Sequence, residues 1–200
     1  MSTSRHEFTA EETAVLLAEL DARLRARGIG AAIFVVGGAA MAANNTGRER
    51  LTHDIDALTQ DTAVIEEARI LARELDLPAD WLNSNANMWM PPIPEGVLDS
   101  PTEPGLRVTY ADDGFLLATK LIAQRAKDAR DIVALADRLG LQAATPAQIE
   151  AHIRRYYTDP NKLEFIVSNP DVNLEIQLLA QDASRMLHRH AETSSPPTRH

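Results

Sequence analysis

The chain has 200 residues, 44% hydrophobic, 24% charged and 4% aromatic, with no cysteine and a formal net charge of -9. That length buries a real core as one domain or one domain with an appendage, and a core built from Leu, Ile, Val and Ala suits helix-rich packing and argues against an all-β fold. The lack of cysteine excludes a disulfide scaffold, a thiol nucleophile, thiolate-ligated zinc and an iron–sulfur cluster, and the acidity argues against broad non-specific affinity for nucleic acid. No apolar run approaches the roughly 20 residues that span a bilayer, and residues 1–12 hold no secretory stretch, so no membrane partner is expected and the location read is cytoplasmic. P-loop, G-x-G-x-x-G, G-x-S-x-G and H-E-x-x-H motifs are all missing.

In chain order, Thr9 stands three residues before Glu12, a capping-box spacing, and Val15, Leu16, Leu20 and Leu24 follow at helical period. The first helix therefore starts there and stops at Gly28 and Gly30. Residues 31–36, dense in Ile, Phe and Val, close on Gly37-Gly38 as a buried strand ending in a tight turn. A short helix over 39–43, a polar loop over 44–49 and a second strand over 50–58 follow. Residues 62–75 carry an apolar stripe at helical spacing, with Pro78 just beyond. The stretch 80–104, with Trp81, Trp89, Pro91, Pro92 and Pro94, reads as an irregular excursion. A third strand over 106–110 precedes a helix from about 114 to 122. The remainder is helical: a stripe through Ile132, Leu135 and Leu139 stopped by Gly140, a helix opened by Pro146, a break at Asp159-Pro160, then two further helices, the last over about 172–190. Residues 193–200 are Ser, Pro and Thr rich and read as a disordered tail.

The chemistry concentrates in Gly37-Gly38 and, on the next strand, Arg50-x-Thr52-x-Asp54-x-Asp56. Residues two apart on a strand share a face, so Asp54 and Asp56 present paired carboxylates. Two like charges a few ångströms apart resist joint ionisation unless a cation lies between them, which makes an oxygen-liking divalent metal such as Mg²⁺, or Mn²⁺, the natural third member. Magnesium suggests phosphate. The diglycine lets backbone approach a ligand closely, and a helix opening behind it aims N–H groups at anionic oxygens, so a nucleoside triphosphate is the expected guest. Either motif alone is more often a turn or a solvated edge than a site. Arg50 reads as a phosphate contact or as a partner of Glu49; by strand parity His53 faces away from the aspartates.

Taken together, the segments VVGGAAMAANN and RLTHDIDAL resemble the AbiEii-like nucleotidyltransferases of the DNA polymerase β-like superfamily, which include the toxins of type IV toxin–antitoxin systems and the mycobacterial MenT toxins. LLATKLIAQRAKDARDIVAL is similar to that family's second block, a Lys, an Arg and a basic-Asp-x-x-Asp segment, here Lys120, Arg125, Lys127-Asp128 and Asp131. The resemblance covers about residues 33–139. It implies a mixed α+β fold: a small mixed sheet flanked by helices in a nucleotidyltransferase core over 1–111, and a helical region over 112–192 packed on that core. It further implies Mg²⁺-dependent transfer of a nucleoside monophosphate, with Asp54 and Asp56 holding the metal, Lys120 contacting phosphates, Asp131 in support, and Gly37, Gly38, Arg50 and Thr52 around the triphosphate. An acceptor such as the 3′ end of tRNA or another RNA, and a cognate antitoxin protein, belong to the same implication. The alternative is a catalytically silent nucleotide- or partner-binding module of that fold, favoured by Gly-Gly-Ala in place of Gly-Ser and by the lack of a third strand carboxylate, for which only Asp99, Asp112 or Asp113 are nearby.

Geometry constrains the second block. On one unbroken helix Lys120, Gln124, Lys127 and Asp131 share a face, yet eleven residues put Lys120 and Asp131 roughly 16 Å apart. Asp128 and Asp131 have N-cap and N3 spacing, so a new helix is expected at Asp128 after a bend near Ala126. Asp131 then serves either the chemistry or only a helix N-terminus. Arg125, Lys127, Arg130, Arg138, Arg154 and Arg155 are candidates for a basic surface that meets RNA, or simply line solvated helix faces.

Overall fold

The computed structural model describes residues 7–44, 51–167 and 169–194. The protein is a mixed α+β chain that divides into two compact units, Met1–Met88 with Ile93–Asp112 and Trp89–Pro92 with Asp113–His200.

The first unit runs α1 (Ala10–Ala26), β1 (Gly30–Val35), α2 (Gly37–Ala43), β2 (Ile55–Leu58), α3 (Thr62–Glu74), β3 (Leu82–Asn83) and β4 (Gly105–Tyr110). Thr9 caps α1 in a reciprocal capping box with Glu12, and the helix turns Leu16, Leu17, Leu20 and Leu24 inward. Burying each of those leucines contributes about 1.5–3 kcal/mol. The sheet order is β3-β2-β1-β4, with β2 antiparallel to β1 while β4 runs parallel to β1 and β3 parallel to β2. Strand β1 is central and buried on both faces, which its run of Ala, Ile, Phe and Val foreshadows. Trp81, fully buried, donates its indole N–H to the Ala68 carbonyl at 2.9 Å and so ties the approach to β3 to α3.

Two expectations change here. Only Ile55–Leu58 of the expected second strand pairs with β1; Thr52 makes an isolated antiparallel bridge with Phe8, and Asp54 sits in the bend between. The excursion over 80–104 contains a strand, β3, and a 3₁₀ turn at Asn85–Met88. The rest is held by side chains. Arg107 directs one guanidinium nitrogen at the carbonyls of Gly96, Val97 and Asp99, and Asp61 accepts from the Ala32 N–H at 3.0 Å and the Ser100 hydroxyl at 2.8 Å. Arg50 and loop residues 45–49 lie outside the described residues.

The second unit is helical: α4 (Asp113–Ala123), a 3₁₀ turn (Ala126–Asp128), α5 (Ala129–Arg138), α6 (Pro146–Tyr156), α7 (Pro160–Ile166) and α8 (Val172–Ser194). Phe115, Leu121, Ile132, Leu135, Ile149, Ile153, Ile176 and Ala180 fill its core. Helix α6 starts with a Thr145–Gln148 capping box and Pro146 in its first turn. At Gly114 a Cβ would lie 2.0 Å from the Tyr156 hydroxyl, so glycine lets α4 and α6 approach. Helix α8 includes Thr193 and Ser194, which were expected in the tail; residues 195–200 lie outside the described residues. Among the described residues no helix is long and apolar enough to cross a membrane.

Candidate active site

In the first unit the diglycine closes β1 and opens α2, and its shape is dictated by two polar side chains. Gly37 has φ +61°, and a Cβ there would stand 2.7 Å from Asp56 Oδ2; a Cβ on Gly38 would stand 2.6 Å from Thr52 Oγ1. Both contacts are closer than a side-chain carbon tolerates, so a Cβ at either position would force Asp56 or Thr52 to shift, and Gly37 also takes the left-handed φ that favours glycine. Thr52, buried, donates its hydroxyl to the Asp54 carbonyl at 2.8 Å and thereby shapes the bend that carries Asp54.

Asp54 and Asp56 are half-buried. Asp54 Oδ2 accepts from the Asn83 side-chain amide at 2.9 Å, and Asn83 lies directly beside Asp56 in the parallel β2–β3 register. Sequence reasoning missed Asn83. A two-residue strand has no periodicity, and the sequence marks it only by Trp81 just before it. His53 is exposed, its Nε2 3.6 Å from a Glu7 carboxylate oxygen.

Gly37, Gly38, Thr52, Asp54 and Asp56 thus belong to one neighbourhood of the first unit, joined by Asn83. Its donor chemistry suits Mg²⁺, which takes one or two protein carboxylates and completes its shell with water and phosphate oxygens. Among the described residues no group of three or more Asp, Glu or His side chains converges as a self-sufficient metal cage. Of the three acids considered as a third ligand, Asp113 pairs with Arg138 at 2.6 Å and Asp99 gives its backbone carbonyl to Arg107.

Lys120 and Asp131 belong to the second unit, where they form a different object. The Lys120 ammonium lies 2.9 Å from Asp128 Oδ1 and 2.6 Å from Asp131 Oδ2, and Arg125 Nε donates to Asp128 Oδ2 at 2.6 Å. Lys120, Asp128 and Asp131 are 7%, 2% and 7% exposed, so this is a buried ion cluster in which two cations balance two carboxylates. Chain reversal makes it possible: Gln124 takes φ +36°, donates its amide to the Leu179 carbonyl at 2.6 Å, and the 3₁₀ turn redirects the chain into α5. The bend expected near Ala126 is present, and it closes the 16 Å that a straight helix would leave. The capping role expected of Asp128 is not: its side chain makes no cap hydrogen bond, because Lys120 and Arg125 claim it. Burial pushes the Asp128 pKa up, but the Arg125 and Lys120 hydrogen bonds and charges outweigh it and hold the carboxyl below its ordinary value.

The residues considered for a basic surface are largely spoken for within the second unit. Arg125 serves Asp128, Arg138 serves Asp113, Arg154 bonds Glu150 and Asn173, and Arg155 lies over the Tyr156 ring at 5.9 Å. Comparison with models of protein families, with curated proteins and with solved structures finds no match.

Proposed function

We propose that the protein is a Mg²⁺-dependent nucleotidyltransferase. The observation that carries this reading is the fit of Gly37 and Gly38 against Asp56 and Thr52, which brings backbone next to the half-buried Asp56 carboxylate, two residues from the half-buried Asp54. Asp54 and Asp56 would hold the metal, and bound there it would neutralise charge building on the phosphates. Thr52 fixes the bend that presents Asp54, and the diglycine lets backbone lie directly against Asp56 and Thr52. In the transfer, an acceptor hydroxyl oxygen bonds to the α-phosphorus, the α–β bridging bond breaks, pyrophosphate leaves and the hydroxyl proton passes to water. Positioning and charge neutralisation supply most of such a reaction, so few residues suffice.

For Lys120 the resemblance implies a phosphate contact. Two of the three ammonium donors are directed at Asp128 and Asp131, so a phosphate would have to engage the third. The acceptor we infer is an RNA 3′ end such as that of tRNA, with a cognate antitoxin as partner; both rest on the resemblance alone.

Incubating the purified protein with each α-labelled nucleoside triphosphate, Mg²⁺ and total cellular RNA, beside Asp56→Asn, tests the reading. Label on a discrete RNA band that disappears with Asp56→Asn is the expected result and names the base. A second reading, a nucleotide-binding module without turnover, is favoured by the neutral Asn83 beside Asp56 where a third carboxylate would strengthen a metal site. Triphosphate binding without label transfer, unchanged by Asp56→Asn, would replace the first reading with it.

A further inference from the structure

We infer that Asn83 is a positioning residue for the metal, aiming Asp54 from the neighbouring strand. This rests on the metal reading of Asp54 and Asp56 above. Asn83 is 9% exposed, and every polar atom of its side chain is engaged. Its Oδ1 accepts the Asn85 backbone N–H at 2.9 Å, while its Nδ2 donates to Asp54 Oδ2 at 2.9 Å and to the Asp80 carbonyl at 3.2 Å. These partners fix which way the amide points. Flipped, it would set its NH₂ against the Asn85 N–H and its oxygen against both a carboxylate and a carbonyl, so three contacts would turn repulsive at once. The amide donor must therefore face Asp54.

The consequence for a cation is specific. Asn83 Oδ1 is committed to Asn85, so Asn83 acts through Asp54 and not as a ligand. One oxygen of Asp54 is held by the amide, which restrains the carboxylate and would leave Oδ1 for the cation. A neutral donor does this without adding a further negative charge beside Asp54. Orienting partners of this kind are worth about 10–100-fold in metal affinity. A rigid carboxylate also favours small, strictly octahedral cations over Ca²⁺, which accepts looser geometry.

The test uses the full chain. Mg²⁺ is titrated into ¹⁵N-labelled wild-type protein while the Asn83 side-chain NH₂ resonances are followed, and Mn²⁺ and Ca²⁺ affinities are measured for wild type, Asn83→Leu, Asn83→Ser and Asp54→Asn, with circular dichroism as the folding control. The NH₂ pair should shift with the same midpoint as Mg²⁺ binding, Asp54→Asn should abolish binding, and both Asn83 variants should lose about tenfold for Mn²⁺ with a smaller loss for Ca²⁺. A merely structural asparagine would lower both metals in proportion. If the cations bind wild type but the NH₂ pair stays in place, or the folded variants keep the wild-type Mn²⁺-to-Ca²⁺ ratio, the positioning role is wrong and the metal site stands. If wild type binds no divalent cation, the metal reading and this inference fall together. The wild-type resonance measurement decides the matter even if the variants fail to fold.

Discussion

The two units use aspartate in opposite ways. In the second, Asp128 and Asp131 are buried and satisfied by Lys120 and Arg125, so their charge is spent on joining α4 to α5. In the first, Asp54 and Asp56 are only half-buried, with a neutral amide on Asp54 and a glycine backbone against Asp56. The charge count follows the same division: the first unit has nine Lys and Arg against eighteen Asp and Glu and so carries the whole net charge of -9, while the second has eleven of each. Carboxylates whose charge is balanced inside the protein report on architecture. Asp54 and Asp56 of the first unit are only partly buried and lie in a net-negative unit.

Disruption should separate the two most strongly at Lys120. Lys120→Met leaves two buried carboxylates with only Arg125 to balance them and should cost about 3–5 kcal/mol in urea unfolding; a loss below about 1 kcal/mol would remove the architectural role assigned to the cluster. Gly37→Ala comes next. A Cβ at φ +61° pressed on Asp56 should cost about 1–3 kcal/mol, and the same variant should weaken Mn²⁺ binding.

Acid should then act on the second unit through Asp128. Its carboxyl is held below the ordinary 3.8, so its stabilisation is complete above that value and is lost as pH falls through the lower folded value. Arg125→Ala removes one counter-ion and moves that loss to higher pH, visible as urea midpoints that decline earlier on acidification than in wild type. The smallest effect belongs to Asp56→Asn, whose stability should stay within about 1 kcal/mol of wild type while metal binding and any transfer activity disappear. A large loss of stability there would make Asp56 architectural and erase the contrast.

Much of this was legible in the chain. Thr9 and Glu12 announce α1, the run before Gly37 announces β1, and the spacing of Asp128 and Asp131 announces a new helix because local rules govern all three. What stayed hidden depends on contacts between distant segments. Asn83 gains its meaning from Asp54, 29 positions earlier, and β3 is too short to carry a strand's alternation. The fate of Asp128 is hidden for the same reason: a local cap and a buried ion pair compete for one carboxylate, and only the fold places Lys120 within 2.9 Å to win it.

Arg107, reaching from β4 to the carbonyls of Gly96, Val97 and Asp99, makes the proline-rich loop a ring closed on one cation. Such a ring opens as one piece. Amide exchange and proteolytic nicking across this stretch should therefore follow a single local opening set by Arg107, so that the loop, though almost devoid of regular secondary structure, behaves in time as one cooperative element.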